Sequence, residues 1–258
     1  MSHENEYFPN LVTMLELIWG DGYMAPGGPG NVARLLRGID TSGKRILDIG
    51  CGIGGPVFEM ARTHGATAVG IDLEAPLIER AQQDAIKHGL SEQCAFQTVE
   101  VGPLPFADQS FDIVISSGAF TQIADKSGIL AESFRVLRPG GYISCYDWLK
   151  PEGDEFSEDM LYWFKVEGLT YALETLESYA DVLRKVGFED IKSNDATDWY
   201  REKARQEYEL IKGDLYGRMV ELLGEADANH FVENWRAMVV VIDKGEMRQG
   251  YSRGRRPA

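Results

Sequence analysis

The stretch Arg45-Ile-Leu-Asp-Ile-Gly-Cys-Gly-Ile-Gly-Gly55 limits what this chain can fold into more than any other part of it. Ile46, Leu47 and Ile49 make a short buried strand, which breaks into Gly50, Gly52, Gly54 and Gly55. After Pro56 the apolar residues Val57, Met60 and Ala61 recur at helical spacing. Strand, glycine turn and helix form the opening of an α/β unit. Bare backbone in the turn lets a ligand approach amides at the positive end of the helix.

Gly50, Gly52 and Gly55 also satisfy the G-x-G-x-x-G pattern of dinucleotide sites. Asp48 weighs against that ligand, because a carboxylate two residues before the first glycine opposes a pyrophosphate. The same carboxylate suits a ligand that carries an ammonium and a sulfonium, which describes S-adenosylmethionine.

The rest of the chain alternates strands with helices. A second strand is predicted over Thr67–Leu73 and ends on Asp72, about 20 residues past the loop, where an acid accepts both ribose hydroxyls or caps the helix over Pro76–Gly89. Further strands are predicted over Ala95–Val101, Phe111–Ser116 and Tyr142–Asp147, the last after a helix over Ile129–Leu137 that Arg138-Pro-Gly-Gly141 stops. Gly187 and Phe188 open a sixth strand, and Met247–Arg253 gives a seventh. This rhythm predicts an α/β fold with a doubly wound, Rossmann-like, mostly parallel seven-stranded sheet, ligands lying at the carboxyl ends of its strands.

Helical lid insertions flank that core. Tyr7–Trp19 and Asn31–Gly38 precede it, separated by the irregular loop Tyr23–Gly30. Asp154–Thr170, Thr175–Val186, Trp199–Leu223 and Ala226–Asp243 follow, although Met238–Ile242 alone reads as a strand. A single domain over 1–258 is expected, with lid helices in 1–40, the cofactor core in 41–148, and the substrate lid and last strands in 149–258.

A formal net charge of −15 repels the phosphates of nucleic acids and anionic membrane surfaces, leaving a small molecule as the expected partner. No apolar run of about 18 residues exists and the first residues lack the order of a signal peptide, so a cytoplasmic location is expected. Cys51, Cys94 and Cys145 have no metal-ligand spacing and the histidines are dispersed, so reduced, non-catalytic thiols and no metal are expected. Arg253–Arg256 reads as a solvated basic tail. Arg201 and Arg205 fit a solvated helix face better than a carboxylate clamp.

Ile46–Gly55, Gly70-Ile-Asp72, Pro105-Phe-x-x-x-x-Phe111-Asp112 and Leu137-Arg-Pro-Gly-Gly141 resemble the successive motifs of class I S-adenosylmethionine-dependent methyltransferases. More narrowly, Glu4-Asn-Glu-Tyr7, Ile18-Trp-Gly20, Tyr23-x-x-x-Gly-Gly28, Tyr179-Ala-Asp-Val-Leu183 and Gln249-Gly-Tyr251 resemble phosphoethanolamine and sarcosine/dimethylglycine N-methyltransferases. The resemblance implies that Tyr23, Met24 and Ala25 cover the methionine end of the cofactor, while Asp48, Gly50 and Gly52 frame its amino acid part. It implies Asp72 and Leu73 at the ribose and one adenine face, Glu100 and Val101 at the adenine edge, and Ser116 at the mouth. Tyr7 matches a tyrosine that latches the lid and orients the amine. Trp148, Glu167 and Tyr171, in the stretch where the substrate lid should lie, are the expected substrate-binding residues. Two positions depart from that family. Gln122 stands where it keeps the histidine partner of the tyrosine, and a carboxamide is no base. Leu169, two before Tyr171, stands where the phosphoethanolamine enzymes keep an arginine.

Methyl transfer is an in-line displacement, so the chain must align a nucleophile and exclude water. Tyr146, Trp148, Tyr162, Trp163, Phe164 and Tyr171 read either as ordinary lid core or as a cage for a methylated ammonium, with Asp147 or Glu167 supplying charge. N-methylation of a small amine is the leading expectation. O- or C-methylation of a small metabolite, and a cofactor-binding module that lost catalysis, are the alternatives.

Overall fold

The computed structural model describes residues 9–153 and 155–258. Tyr7 and Asp154 lie outside the described residues. The apolar runs form the centre of a sheet because no polar alternation along them tolerates a wet face. Ile113, Val114 and Ile115 of β4 (Phe111–Ser117) are fully buried, as are Ile46 and Leu47 of β1 (Arg45–Ile49). With β2 (Thr67–Asp72), β3 (Cys94–Thr98), β5 (Leu137–Leu149), β6 (Glu189–Asp195) and β7 (Arg248–Arg255), the order is β3-β2-β1-β4-β5-β7-β6. The first five strands are parallel and β7 runs antiparallel between β5 and β6. The chain leaves β1 toward β2 and later returns on its other side as β4, which opens a crevice beyond the carboxyl ends of β1 and β4.

One face of the sheet is covered by α2 (Gly28–Leu35), α3 (Gly55–His64) and α4 (Ala75–Lys87), through Val32, Leu35, Val57, Met60, Ile78 and Ala81. The other is covered by α5 (Lys126–Val136) and α7 (Leu176–Val186), through Leu130, Val136 and Leu183. A separate apolar cluster joins α1 (Pro9–Trp19), α6 (Glu158–Glu167), α8 (Thr197–Lys212), α9 (Tyr216–Leu223) and α10 (Glu225–Asp243). Helix α1 buries Met14 and Leu15 in that helical lid, and its Val12 packs with Ile53 and Leu77 beside the glycine loop.

Several expected boundaries move for physical reasons. The second helix starts at Gly28 instead of Asn31, since Pro29 fits the first turn, where its missing N–H would have no partner. β3 stops at Thr98, leaving Glu100 and Val101 beyond the strand. The helix expected over Trp199–Leu223 is two helices, α8 and α9, parted around Gly213. The Met238–Ile242 run is helical within α10, because Met238, Val241 and Ile242 fill the lid core and burial overrides their β-propensity. Arg253 and Arg256 are no solvated tail. Arg253 donates to the carbonyls of Arg37 (2.7 Å) and Leu35 (2.5 Å), and Arg256 to those of Phe134 (2.7 Å) and Leu137 (2.5 Å). Both guanidinium groups satisfy carbonyls that the ends of α2 and α5 leave without helical partners.

Candidate active site

The glycine loop is held by the end of β2. The N–H groups of Gly50 and Cys51 both donate to the Ile71 carbonyl (2.8 and 3.0 Å), and Gly52 N–H donates to Oδ2 of Asp72 (2.9 Å). Oδ1 of Asp72 accepts from Glu74 N–H (3.0 Å). Asp72 therefore ties the loop to the start of the next connection and does not cap α4, whose N-cap residue is Glu74. At Gly50 (φ 75°) an added Cβ would lie 2.1 Å from the Ala119 methyl, so only glycine lets the loop close against the turn after β4.

Asp48 lies beneath this loop, fully buried on β1, and neither of its oxygens accepts a hydrogen bond from a described residue. Burial, and secondarily the nearby Asp72, push its carboxyl up to about 8. A buried carboxyl in that condition needs a cationic partner to ionise. The residue set thus fits a ligand that brings an ammonium to the loop.

The N-terminal segment closes over the same place. Gly22 accepts from Gly55 N–H (3.0 Å) and donates its own N–H to Glu16 (2.9 Å). The buried Tyr23 ring packs against Gly55, burial raising its hydroxyl above the usual phenol range. Met24 lays its sulfur over Gly52, and Ala25 faces Gly118. Leu73, Glu100 and Val101 are exposed on the rim, past the ends of β2 and β3. Ser116 does not line an open mouth: it is fully buried and its hydroxyl donates to the Ile49 carbonyl (3.0 Å), linking β4 to β1.

Gln122 ends the single turn Phe120–Gln122 after β4 and is half-buried. Its neighbour Thr121 donates its N–H to Oδ1 of Asp147 (3.0 Å), and Oδ2 of Asp147 accepts from the Tyr179 hydroxyl (2.5 Å). Asp147 is thereby excluded from the aromatic lid. Side chains alternate along β5, so Tyr146 and Trp148 face the lid while Asp147 faces α5 and α7. Its carboxyl is pushed up to about 7 by burial, against the opposing pull of Tyr179, Lys126 and the Thr121 amide.

The lid aromatics divide. Trp148 stacks on Trp163 (5.7 Å between ring centres, 10°), which stacks on Tyr171 (5.1 Å, 25°) with Phe164 alongside. Glu167 accepts from the Tyr171 hydroxyl (3.2 Å) and from the Asn234 amide, and burial raises its carboxyl. Tyr162 is outside this group, exposed and bonded to Glu233 (2.7 Å). Arg201 and Arg205 lie off the buried stripe of α8 and pair with Asp198 and Asp243, as a solvated face requires. Among the described residues no cluster of metal-ligating side chains occurs, and no helix is long and apolar enough to cross a membrane.

The Methyltransferase domain family matches residues 40–208, which include the glycine loop, Asp72 and the Gln122 turn. The chain belongs to that family. It is 28% identical over 248 residues to a phosphoethanolamine N-methyltransferase of Triticum aestivum, covering 95% of this chain and 48% of that protein. It is 34% identical over 190 residues to a sterol 24-C-methyltransferase of Gibberella zeae, covering 71% of this chain and 48% of the other. The chain thus spans about half the length of these curated relatives. A Haemonchus contortus phosphoethanolamine N-methyltransferase 2, solved with phosphomonomethylethanolamine and S-adenosylhomocysteine, matches with a TM-score of 0.89 at 24% identity, over 97% of this chain and 59% of that one.

Glu207, Asn234 and Gln249 are further buried polar residues, outside the motifs of the sequence. Glu207 carried a signal: it falls on the buried stripe Tyr200, Ala204, Glu207, Ile211 of α8, where an acid is out of place. Asn234 likewise falls on the buried stripe Phe231, Asn234, Trp235, Met238 of α10, whereas Gln249 carried no signal, since only tertiary packing buries it.

Proposed function

We propose that this methyltransferase transfers a methyl group from S-adenosylmethionine to the nitrogen of a small amine. The observation that carries the reading is the Trp148–Trp163–Tyr171 stack ending on the half-buried Glu167, an arrangement suited to a nitrogen cation and hostile to an anion. When bound, S-adenosylmethionine supplies an electrophilic methyl group on a sulfonium. Asp48 holds its ammonium, and the Gly50–Gly55 loop admits its amino acid part to the backbone. Asp72 uses remaining acceptor capacity on the ribose, while Leu73, Glu100 and Val101 border the adenine. Tyr23, Met24, Ala25 and α1 exclude water above the loop.

On the acceptor side the amine must arrive neutral, which at pH 7 costs on the order of 4 kcal/mol for a pKa near 10. Glu167, raised by burial, receives a proton more readily than an ordinary carboxylate. Gln122 contributes a carboxamide that orients the acceptor without taking its proton. Tyr7 acts from outside the described residues as the latch over the amine.

A screen with methyl-labelled S-adenosylmethionine against small amines, alcohols and carbon acids tests this. Labelled N-methyl products are the expected result. Labelled O- or C-methyl products alone would favour the second reading, which Gln122 and the similarity to a sterol 24-C-methyltransferase support. Binding of S-adenosylmethionine with no product from any acceptor would mean a binding module.

A further inference from the structure

A second carboxylate lies deeper in the lid than Glu167. Glu207 of α8 is buried, and its acceptors are filled by the Trp19 indole (2.9 Å), the Trp235 indole (3.2 Å) and the Tyr200 hydroxyl (3.4 Å). All three donors are neutral, and burial pushes the carboxyl up to about 7. Tyr200 feels both Glu207 and Glu167 and packs edge-on against Trp148, so the two acids flank one aromatic cluster. All five tryptophans of the chain, Trp19, Trp148, Trp163, Trp199 and Trp235, belong to this cluster or pack against it. Two acids satisfied by neutral groups, Glu207 buried and Glu167 half-buried, leave negative potential among apolar side chains, which a bound cation offsets.

Acids alone would not define a site, but β5 and β7, where they meet Trp148 and Trp199 of the lid, carry polar groups that lack partners. Tyr146 is fully buried, within the field of Glu207, and its hydroxyl has no hydrogen-bond partner. Gln249 is 1% exposed, sits opposite Trp148 in the β5–β7 register, and neither atom of its carboxamide is bonded. Pleating puts Tyr146, Trp148 and Gln249 on the lid face of the sheet. Buried donors and acceptors of this kind normally have a partner. Their combined chemistry is that of a hydroxyl-binding pair beside a cation site.

We propose that Glu207 and Glu167 select a cationic acceptor, and that Tyr146 and Gln249 bind its hydroxyl, so that the acceptor is a small amino alcohol without an anionic group. This rests on the amine reading above and goes beyond it by naming the acceptor class and its selecting residues. Trp19 joins Glu207 to the end of α1.

The test uses the full chain saturated with S-adenosylhomocysteine and follows tryptophan fluorescence. Choline is the cationic probe, and 3,3-dimethylbutan-1-ol is its neutral isostere with the same hydroxyl. Choline is expected to bind at least tenfold more tightly than the isostere. Glu207→Gln and Glu167→Gln are each expected to lower choline affinity at least tenfold, and Gln249→Leu to weaken both probes equally. S-adenosylhomocysteine affinity should remain unchanged in all three variants, which reports an intact core. Equal binding of the two probes, or the same preference in both acid variants, would overturn the proposal. Should Glu207→Gln fail to fold, the wild-type probe ratio and Glu167→Gln still decide. No step of the assay involves turnover, so absence of N-methyl products in the labelled screen would remove the amine reading without altering this result.

Discussion

Replacing Asp48 by asparagine is expected to make the cofactor-free protein more stable and its cofactor complex weaker. The carboxyl is buried, accepts no hydrogen bond, and has its pKa pushed up to about 8, chiefly by burial and then by Asp72. An unfolded chain releases the same proton near pH 4. Between about pH 4 and pH 8 the folded state therefore holds a proton that the unfolded state has lost, and stability falls as pH rises, by about 1.4 kcal/mol per pH unit. At pH 7 the accumulated penalty is about 4 kcal/mol. Asparagine removes it, because the buried carboxamide is as unpaired as the protonated carboxyl it replaces. Below about pH 4 both forms of Asp48 are protonated and the advantage disappears. The ammonium of S-adenosylmethionine reverses the balance, since it stabilises the carboxylate and not the amide, and the variant should bind it about 1.5 to 3 kcal/mol more weakly. Urea unfolding across this pH range, with and without S-adenosylmethionine, measures both effects. Calorimetry of the wild type near neutral pH should also detect a proton released on binding. Parallel pH profiles for the two proteins together with equal affinities would refute the assignment of Asp48.

Gly55→Ala would put a methyl 2.2 Å from the Gly22 carbonyl oxygen, so it should displace the 20–25 segment, lower stability by about 1 to 3 kcal/mol and weaken cofactor binding in calorimetry. Asp147→Ala leaves the Thr121 amide and the Tyr179 hydroxyl unpaired, a loss of about 2 to 4 kcal/mol in denaturant unfolding. Because Thr121 adjoins Gln122, that variant should also lower kcat more than it raises KM. Phosphoethanolamine should be a poor substrate beside its unphosphorylated counterpart in steady-state assays. Arg201, Arg205 and Lys244 are paired with Asp198, Asp243 and Asp159, Lys165 and Arg248 are exposed, and Leu169 offers no charge. The highest kcat/KM for phosphoethanolamine would mean that one of these cations turns inward.

The sheet and the glycine loop were legible in the sequence because local chemistry fixes them. The short apolar run Phe111–Ser116, bounded by turn residues, reads as a doubly buried strand, and four glycines after Ile49 leave a turn that few other residues could make. Asp72 was legible by its distance from that turn, though its hold on the Gly52 amide was not. The lid was less legible because its helices owe their limits to one another. Only packing decides that Met238–Ile242 is helical, that the chain breaks around Gly213, and that Arg253 and Arg256 reach the carbonyl ends of α2 and α5. The same holds for the acceptor side. Asp147 and Trp148 are neighbours in sequence, yet the pleat of β5 sends one to α5 and α7 and the other to the lid. Glu207, Tyr146 and Gln249 come from three separate elements, and nothing in the chain order brings them together. Sequence by itself determined where the glycine loop lies, because contiguous backbone builds it. Which carboxylates are buried was decided by the tertiary structure alone, since packing removes some of them from water and leaves others in it.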